Sequence, residues 1–184
     1  MEKTAEARAN GHAQADLDPN VDAIPFVSEG VLAGGVGAGM VASFFLVVDA
    51  LTRGAFFTPN ALGSRFFLGE WPAEGASIEP VLVVGYTSIH LAVFAMVGVV
   101  AAFVLAGRLQ AHAGRGRLVA ALAAALFLFF EATFVVYSLL MAPGALELFG
   151  IGRVAVANLL AAIAMAFLLG TGFLRPLFLS RVDR

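Results

Sequence analysis

The sequence contains no cysteine and little charge. None of its 184 residues is Cys, so disulfides, iron–sulfur clusters and thiolate metal sites are excluded. Only 13% of the residues are charged and 60% are hydrophobic, which gives a mean hydropathy of +0.91. A soluble domain of this length has too little interior to bury so much apolar surface, so we expect a membrane protein.

Several functional signatures are also missing. The sequence has no basic clusters interleaved with aromatic residues, so no nucleic-acid partner is expected. The alternating pattern of an outer-membrane barrel strand is absent. We find no serine nucleophile elbow, no His-Glu-x-x-His motif and no paired-carboxylate signature. A non-enzymatic role is therefore favoured over an enzyme.

Four apolar segments are long enough to cross a bilayer. They are roughly Val31–Leu51, Val81–Ala106, Leu118–Met141 and Gly152–Leu174, and each exceeds the length of about 20 residues that a hydrocarbon core requires. Short links favour contact between consecutive spans. The sequence therefore predicts an all-α membrane protein, a four-transmembrane-helix up-down bundle over residues 30–175. Residues 1–29 are predicted to be a disordered cytoplasmic tail and residues 176–184 a second cytoplasmic tail.

The basic residues predict the orientation of the spans. In this topology one side holds only Arg53, Arg65 and Arg153, and the other side holds the remaining eight: Lys3, Arg8, Arg108, Arg115, Arg117, Arg175, Arg181 and Arg184. By the positive-inside rule the second side is cytoplasmic. We therefore expect an inner-membrane protein with both termini in the cytoplasm.

The first outer loop, from Thr52 to Pro80, contains start and stop signals for a short helix. Thr58 suits the N-cap, Pro59 suits the first helical position, and Gly69 suits the stop. The sequence therefore predicts a short helix in this loop.

This short helix is expected to lie at the membrane interface. Leu62, Phe66 and Phe67 are predicted to share one face, and Trp71 follows at the level of the headgroups. The helix is then either an anchor or a lid over the mouth of the bundle. Aromatic belts are general in membrane proteins, which favours the anchor.

Small residues recur every four positions in the first span. They form two rows, Gly30, Gly34, Ala38 and Ala42, and Gly35, Gly39 and Ser43. Small residues allow transmembrane helices to approach closely. We expect this helix to pack tightly against neighbours on two sides, and a homodimer contact is the alternative.

Two ionisable residues lie deep in the predicted membrane. From a rise of about 1.5 Å per residue, His90 lies about 13 Å and Glu131 about 15 Å from the outer end of their spans. Asn158 and Asp49 are shallower, at about 9 Å and about 3 Å. Ionisable groups at such depth are costly, so they need a reason.

The polar side chains allow two interpretations. The set is confined to the outer half and consists of His90, Glu131, Asp49, Asn158, Tyr86 and Tyr137. In one interpretation these groups bond to one another and join the helices. In the other they line a pocket that opens to the outside and binds a cation, a proton or the polar head of a ligand.

No cofactor is predicted by these residues. A metal ion usually has three or four strong ligands, and only His90 and Glu131 are available at one depth. A haem at His90 would need an unusual second ligand or another copy of the chain, because no other histidine is in a span. Haem or metal at His90 is therefore a minor alternative. Asp49 and Arg53, four residues apart, are expected to form an exposed local ion pair.

Four stretches of the chain carry a resemblance to known proteins. They are Phe44-Phe-Leu-Val-Val-Asp49, Phe57-Thr-Pro-Asn-Ala-Leu-Gly63, Gly85-Tyr-Thr-Ser-Ile-His90 and Asn158-Leu-Leu-Ala-Ala162. In these stretches the chain resembles uncharacterised bacterial four-span inner-membrane proteins. The resemblance implies a bacterial inner membrane but no activity. The leading hypothesis is an accessory or scaffold subunit that contacts the lipid bilayer and either itself or a larger membrane complex. The alternative is a small channel, a proton relay, or a protein that binds haem, metal, quinone or lipid.

Overall fold

The computed structural model describes residues 19–73, 75–109 and 114–171, which form helices joined by loops and no strand. The helices are α1 (Pro19–Thr52), α2 (Phe57–Leu68), α3 (Pro80–Leu109), α4 (Arg115–Leu140), α5 (Ala145–Phe149) and α6 (Ile151–Thr171). Residues 1–18 of the predicted N-terminal tail and the whole predicted C-terminal tail, residues 176–184, lie outside the described residues. Residues 19–29 of the predicted N-terminal tail belong to α1.

Four of these helices are long and apolar enough to cross a membrane. The apolar stretches are Phe26–Thr52, Pro80–Leu105, Gly116–Leu140 and Ile151–Thr171. They coincide with the four spans that the sequence predicts, so the prediction of an all-helical, multi-pass membrane protein is confirmed. The short helix α5, which forms one turn between α4 and α6, was not predicted.

Glycines of α1 bring it into backbone contact with α3. A Cβ atom at Gly30 would overlap the backbone of Gly98 and Val99, and one at Gly34 would overlap the backbone of Phe94. No larger residue fits at these positions without moving a helix, because the neighbouring atoms are backbone. At Gly30 and Gly34, α1 therefore packs directly against the backbone of α3.

The second packing face of α1 differs from the predicted one. A Cβ atom at Gly35 or Gly39 would meet nothing within 4 Å, so this row is open in the single chain. Ala33 is fully buried, and Gly37 lies directly against the side chain of Met165 in α6. Spacing identifies a row of small residues, but the rotation of the helix decides which row faces a neighbour.

The order of the long helices also differs from the predicted order. α1 packs against both α3 and α6, and α4 packs against α6, whereas α3 and α4 make few contacts with each other. The prediction that consecutive spans two and three are close neighbours is therefore wrong. Small buried residues of α6, such as Ala157, Ala161 and Gly170, let α1 and α4 approach it instead.

One end of the long helices is covered by α2 and α5, and we call it the α2 end. A hydrophobic core around Phe45, Leu62, Phe149 and Val154 joins these short helices to α1 and α6. A second core, around Phe94, Phe130 and Met165, extends away from the α2 end. The space between the two cores contains the site described next.

Candidate functional site

A cavity of about 510 Å³ lies between the long helices and α2. Its walls are mostly Phe, Tyr and aliphatic side chains from α1, α2, α3, α4 and α6. The polar side chains among them are Ser43, Thr58, Tyr86, Thr87, His90, Thr133, Tyr137 and Asn158. A large apolar volume with a few converging polar groups is the usual form of a small-molecule site.

A column of aromatic rings forms one wall and the floor of the cavity. Tyr86 stacks on His90 with 5.9 Å between ring centroids, and His90 contacts Phe94 at 4.6 Å. Phe94 in turn stacks on Phe130 of α4 at 4.8 Å. Because both phenylalanines are buried, their stack bridges α3 and α4 and closes the cavity on the side away from α2.

His90 has hydrogen-bonding capacity that the described protein does not use. Its Nε2 atom is buried and has no hydrogen-bond partner, and the ring lies beside the backbone carbonyl of Ala38. A buried polar atom without a partner is costly. Since His90 lines the cavity, a ligand there can supply the missing partner.

Glu131 has a different partner from the one that its depth suggests. The Nδ2 atom of Asn158 donates to Glu131 Oε1 over 2.8 Å, joining α6 to α4. Glu131 is not among the residues that line the cavity, whereas Asn158 is. The structure therefore does not bring His90 and Glu131 together, and it places a Glu131–Asn158 pair between helices.

The two predicted tyrosines face the same cavity. Tyr86 comes from α3 and Tyr137 from α4, and both line the cavity. They add hydrogen-bonding groups on the side of the cavity nearest α2.

The cavity is open between α3 and α4. Val93, Phe129 and Thr133 line it and are also exposed to the surroundings of the chain. This is the pair of long helices with few mutual contacts. The cavity is therefore accessible from the side of the helix bundle, between α3 and α4.

Asp49 lies outside the cavity and fixes α2. Its side chain is 0% exposed, and its carboxylate accepts hydrogen bonds from Thr58 N at 2.6 Å and Thr58 Oγ1 at 2.9 Å. Arg53 Nη2 is 3.5 Å away, so the predicted ion pair is present. The expectation that it is exposed is wrong, because α2 folds back over the carboxylate.

The start of α2 differs from the predicted one. The helix begins at Phe57, so Thr58 is its second residue and does not cap it. The Thr58 hydroxyl bonds to Asp49 instead. Gly69 ends the helix in the left-handed conformation, with φ of 79°, as expected.

The aromatic face of α2 is split. Leu62 is buried at 8% exposure, whereas Phe66 and Phe67 are 53% and 47% exposed. The three residues therefore do not share one environment, although Leu62 and Phe66 both line the cavity. Phe67 lies against Gly85 of α3. The helix thus covers the cavity at its α2 end.

Side chains of α2 and of the loops on either side of it donate hydrogen bonds to the segment between α4 and α6. Arg53 Nη1 donates to the Leu148 carbonyl at 2.7 Å, and Trp71 Nε1 donates to the Pro143 carbonyl at 2.9 Å. Arg65 Nε donates to the Met141 carbonyl at 3.0 Å. Each bond joins residues that are far apart in sequence. Together the bonds fix the cover formed by α2 relative to α4 and α5.

The described residues include few clustered metal-ligating side chains. No group of three or more His, Cys, Asp or Glu side chains is found among them. His90 is accompanied in the cavity by hydroxyl and amide groups, which suit hydrogen bonding to a ligand.

Comparisons of the chain with protein-family models, curated proteins and solved structures found no match. The Phe94–Phe130 floor of the cavity was not predicted from the sequence. The four-residue spacing of Tyr86, His90 and Phe94 was the available signal, since it places the three rings on one face of a helix.

Proposed function

We propose that this is an integral inner-membrane protein that binds a lipophilic ligand within the bilayer. The observation that carries the proposal is the cavity of about 510 Å³, which has apolar walls and the unpartnered Nε2 atom of His90. Its volume lies in the usual range for small-molecule sites, about 300–1,000 Å³. Its lateral opening between α3 and α4 suits a ligand that arrives from the membrane.

The proposed topology is an up-down bundle with both termini in the cytoplasm. In support, Phe26 of α1 contacts Phe103 of α3 at 6.3 Å while Gly34 approaches Phe94, so these helices run in opposite directions. The distribution of basic residues then assigns the α2 end to the outside. In this orientation α2 is an interfacial helix and serves as a lid over the cavity.

Native mass spectrometry of the detergent-extracted protein tests the proposal. We expect a bound lipophilic molecule at about one per chain. Thr133→Phe adds bulk at the exposed mouth of the cavity and should abolish this adduct. Val136→Phe is the matched control, because Val136 lies in the same helix, is 54% exposed and does not line the cavity. An unliganded chain, or an adduct that Thr133→Phe leaves unchanged, would refute the proposal.

The second candidate function is that of an accessory or scaffold subunit. Its support is the open row at Gly35 and Gly39, where a neighbouring transmembrane helix could approach closely. The same spectra test it, since an accessory subunit should retain a second copy or another membrane protein at fixed stoichiometry. Gly39→Leu should then release that partner, and an unchanged assembly would contradict this candidate.

A further inference from the structure

The cavity has no charged group that would bind a phosphate. Among its described lining residues none is Lys, Arg, Asp or Glu. Phosphate headgroups are bound by Arg, Lys or clustered backbone N–H groups. The hydrogen-bonding groups present are an imidazole, an amide, two phenols and aliphatic hydroxyls. The cavity therefore suits a polar but uncharged headgroup.

The depth of the polar groups also disfavours a phospholipid. His90 and Asn158 lie about 13 Å and about 9 Å from the nearer end of their spans. The hydrocarbon core is about 30 Å thick, and phospholipid headgroups lie outside it. A ligand that hydrogen-bonds to both side chains must therefore place its polar group inside the hydrocarbon region. Uncharged lipids with small headgroups can do this at low cost.

The rings around His90 favour a planar headgroup. Phe94 and Phe130 form a stacked pair whose planes differ by 23°, and Tyr86 stacks on the other side of His90. Aromatic side chains prefer stacked or edge-to-face contact with other rings. An aliphatic chain would fill the same volume but would make no use of the imidazole nitrogen.

We infer that the ligand is a neutral isoprenoid quinone or its quinol. This inference rests on the proposed function and names the ligand class of the same site. The ring lies against the aromatic wall, one ring oxygen bonds to His90 Nε2, and the tail leaves between α3 and α4. A neutral imidazole nitrogen can donate to a quinone carbonyl or accept from a quinol hydroxyl, depending on its tautomer.

Quinone retention by the purified protein tests the inference. The chain in detergent is incubated with decylubiquinone, passed over a size-exclusion column, and extracted for quantification of quinone by absorbance. We expect about one quinone per chain. His90→Phe keeps an aromatic ring but removes the nitrogen, and should weaken retention about tenfold. Ser88→Ala, at an exposed position of the same helix, should retain quinone like the parent.

The outcomes separate the inference from the proposed function. Saturable retention that depends on His90 and resists an excess of phosphatidylglycerol supports both. A native adduct blocked by Thr133→Phe, with no quinone retention, refutes the inference and leaves the proposed function standing. Equal quinone retention by the parent and His90→Phe refutes the assigned contact. If the protein carries no native adduct and retains no quinone, both the inference and the proposed function are refuted.

Discussion

Asp49→Ala should detach α2 from the end of α1. In the parent, the Asp49 carboxylate is fully buried and accepts two hydrogen bonds from Thr58, at 2.6 and 2.9 Å. Alanine removes both acceptors and leaves the Thr58 N–H in the first turn of α2 without a partner. It also removes the carboxylate beside Arg53. We expect α2 to open more often while the four long helices remain packed.

The free-energy cost of detaching α2 can be estimated from the two hydrogen bonds between Asp49 and Thr58. A hydrogen bond to a charged group contributes about 1.5–3 kcal/mol, so the loss of both costs at least about 3 kcal/mol. The Arg53 contact, at 3.5 Å, adds little. Since about 1.4 kcal/mol corresponds to a factor of ten, opening of α2 should become about 100 times more frequent.

Hydrogen–deuterium exchange in detergent measures this opening. Amides of residues 57–68 should exchange about 100 times faster in Asp49→Ala, and those in the middle of α3 should not change. Thr52→Val is the control, because it removes only an exposed bond to the Val48 carbonyl at the same end of α1. Unchanged exchange across residues 57–68 would show that Asp49 does not hold α2.

Three further predictions concern the packing. Gly34→Leu forces a side chain into the backbone of α3 and should lower Tm strongly. At Gly39 a Cβ atom has no neighbour within 4 Å, so Gly39→Leu should leave the monomer's Tm unchanged; equal Tm values would contradict the assigned faces. Glu131→Leu leaves the Asn158 amide without its acceptor and should cost about 1–3 kcal/mol of unfolding free energy. Glu131→Gln should restore most of that loss in denaturant titrations. Trp71→Phe removes one hydrogen bond, which should lower the stability of this segment by about 1 kcal/mol. Proteolysis within residues 69–79 should therefore become faster, and an unchanged rate would refute the role of Trp71 in fixing the segment.

The long helices could be predicted from the sequence because their signal is local. Each span is a continuous apolar run whose length matches the membrane, and neither packing nor partners need be known to find it. The stop of α2 at Gly69 is local in the same sense. The burial of Asp49 has no local signal in the sequence, because it depends on α2 folding back over the end of α1.

The pairing of the polar groups could not be predicted from depth alone. The rise per residue places His90 and Glu131 at nearly the same height, but height says nothing about the direction in which a side chain points. These spans are apolar all round, so no polar stripe reveals their rotation. In the structure, Glu131 is hydrogen-bonded to Asn158, whereas His90 lines the cavity. Depth alone could not distinguish these two orientations.

The most direct test of the binding site is photoaffinity mapping with a quinone that carries a diazirine on its tail. Membranes containing the protein are irradiated with and without excess decylubiquinone, and the labelled residues are identified by peptide sequencing. We expect competed labelling within residues 86–94 of α3 and 129–137 of α4. Labelling that is not competed, and that falls on outward-facing residues such as Val100 and Leu139, would contradict this expectation.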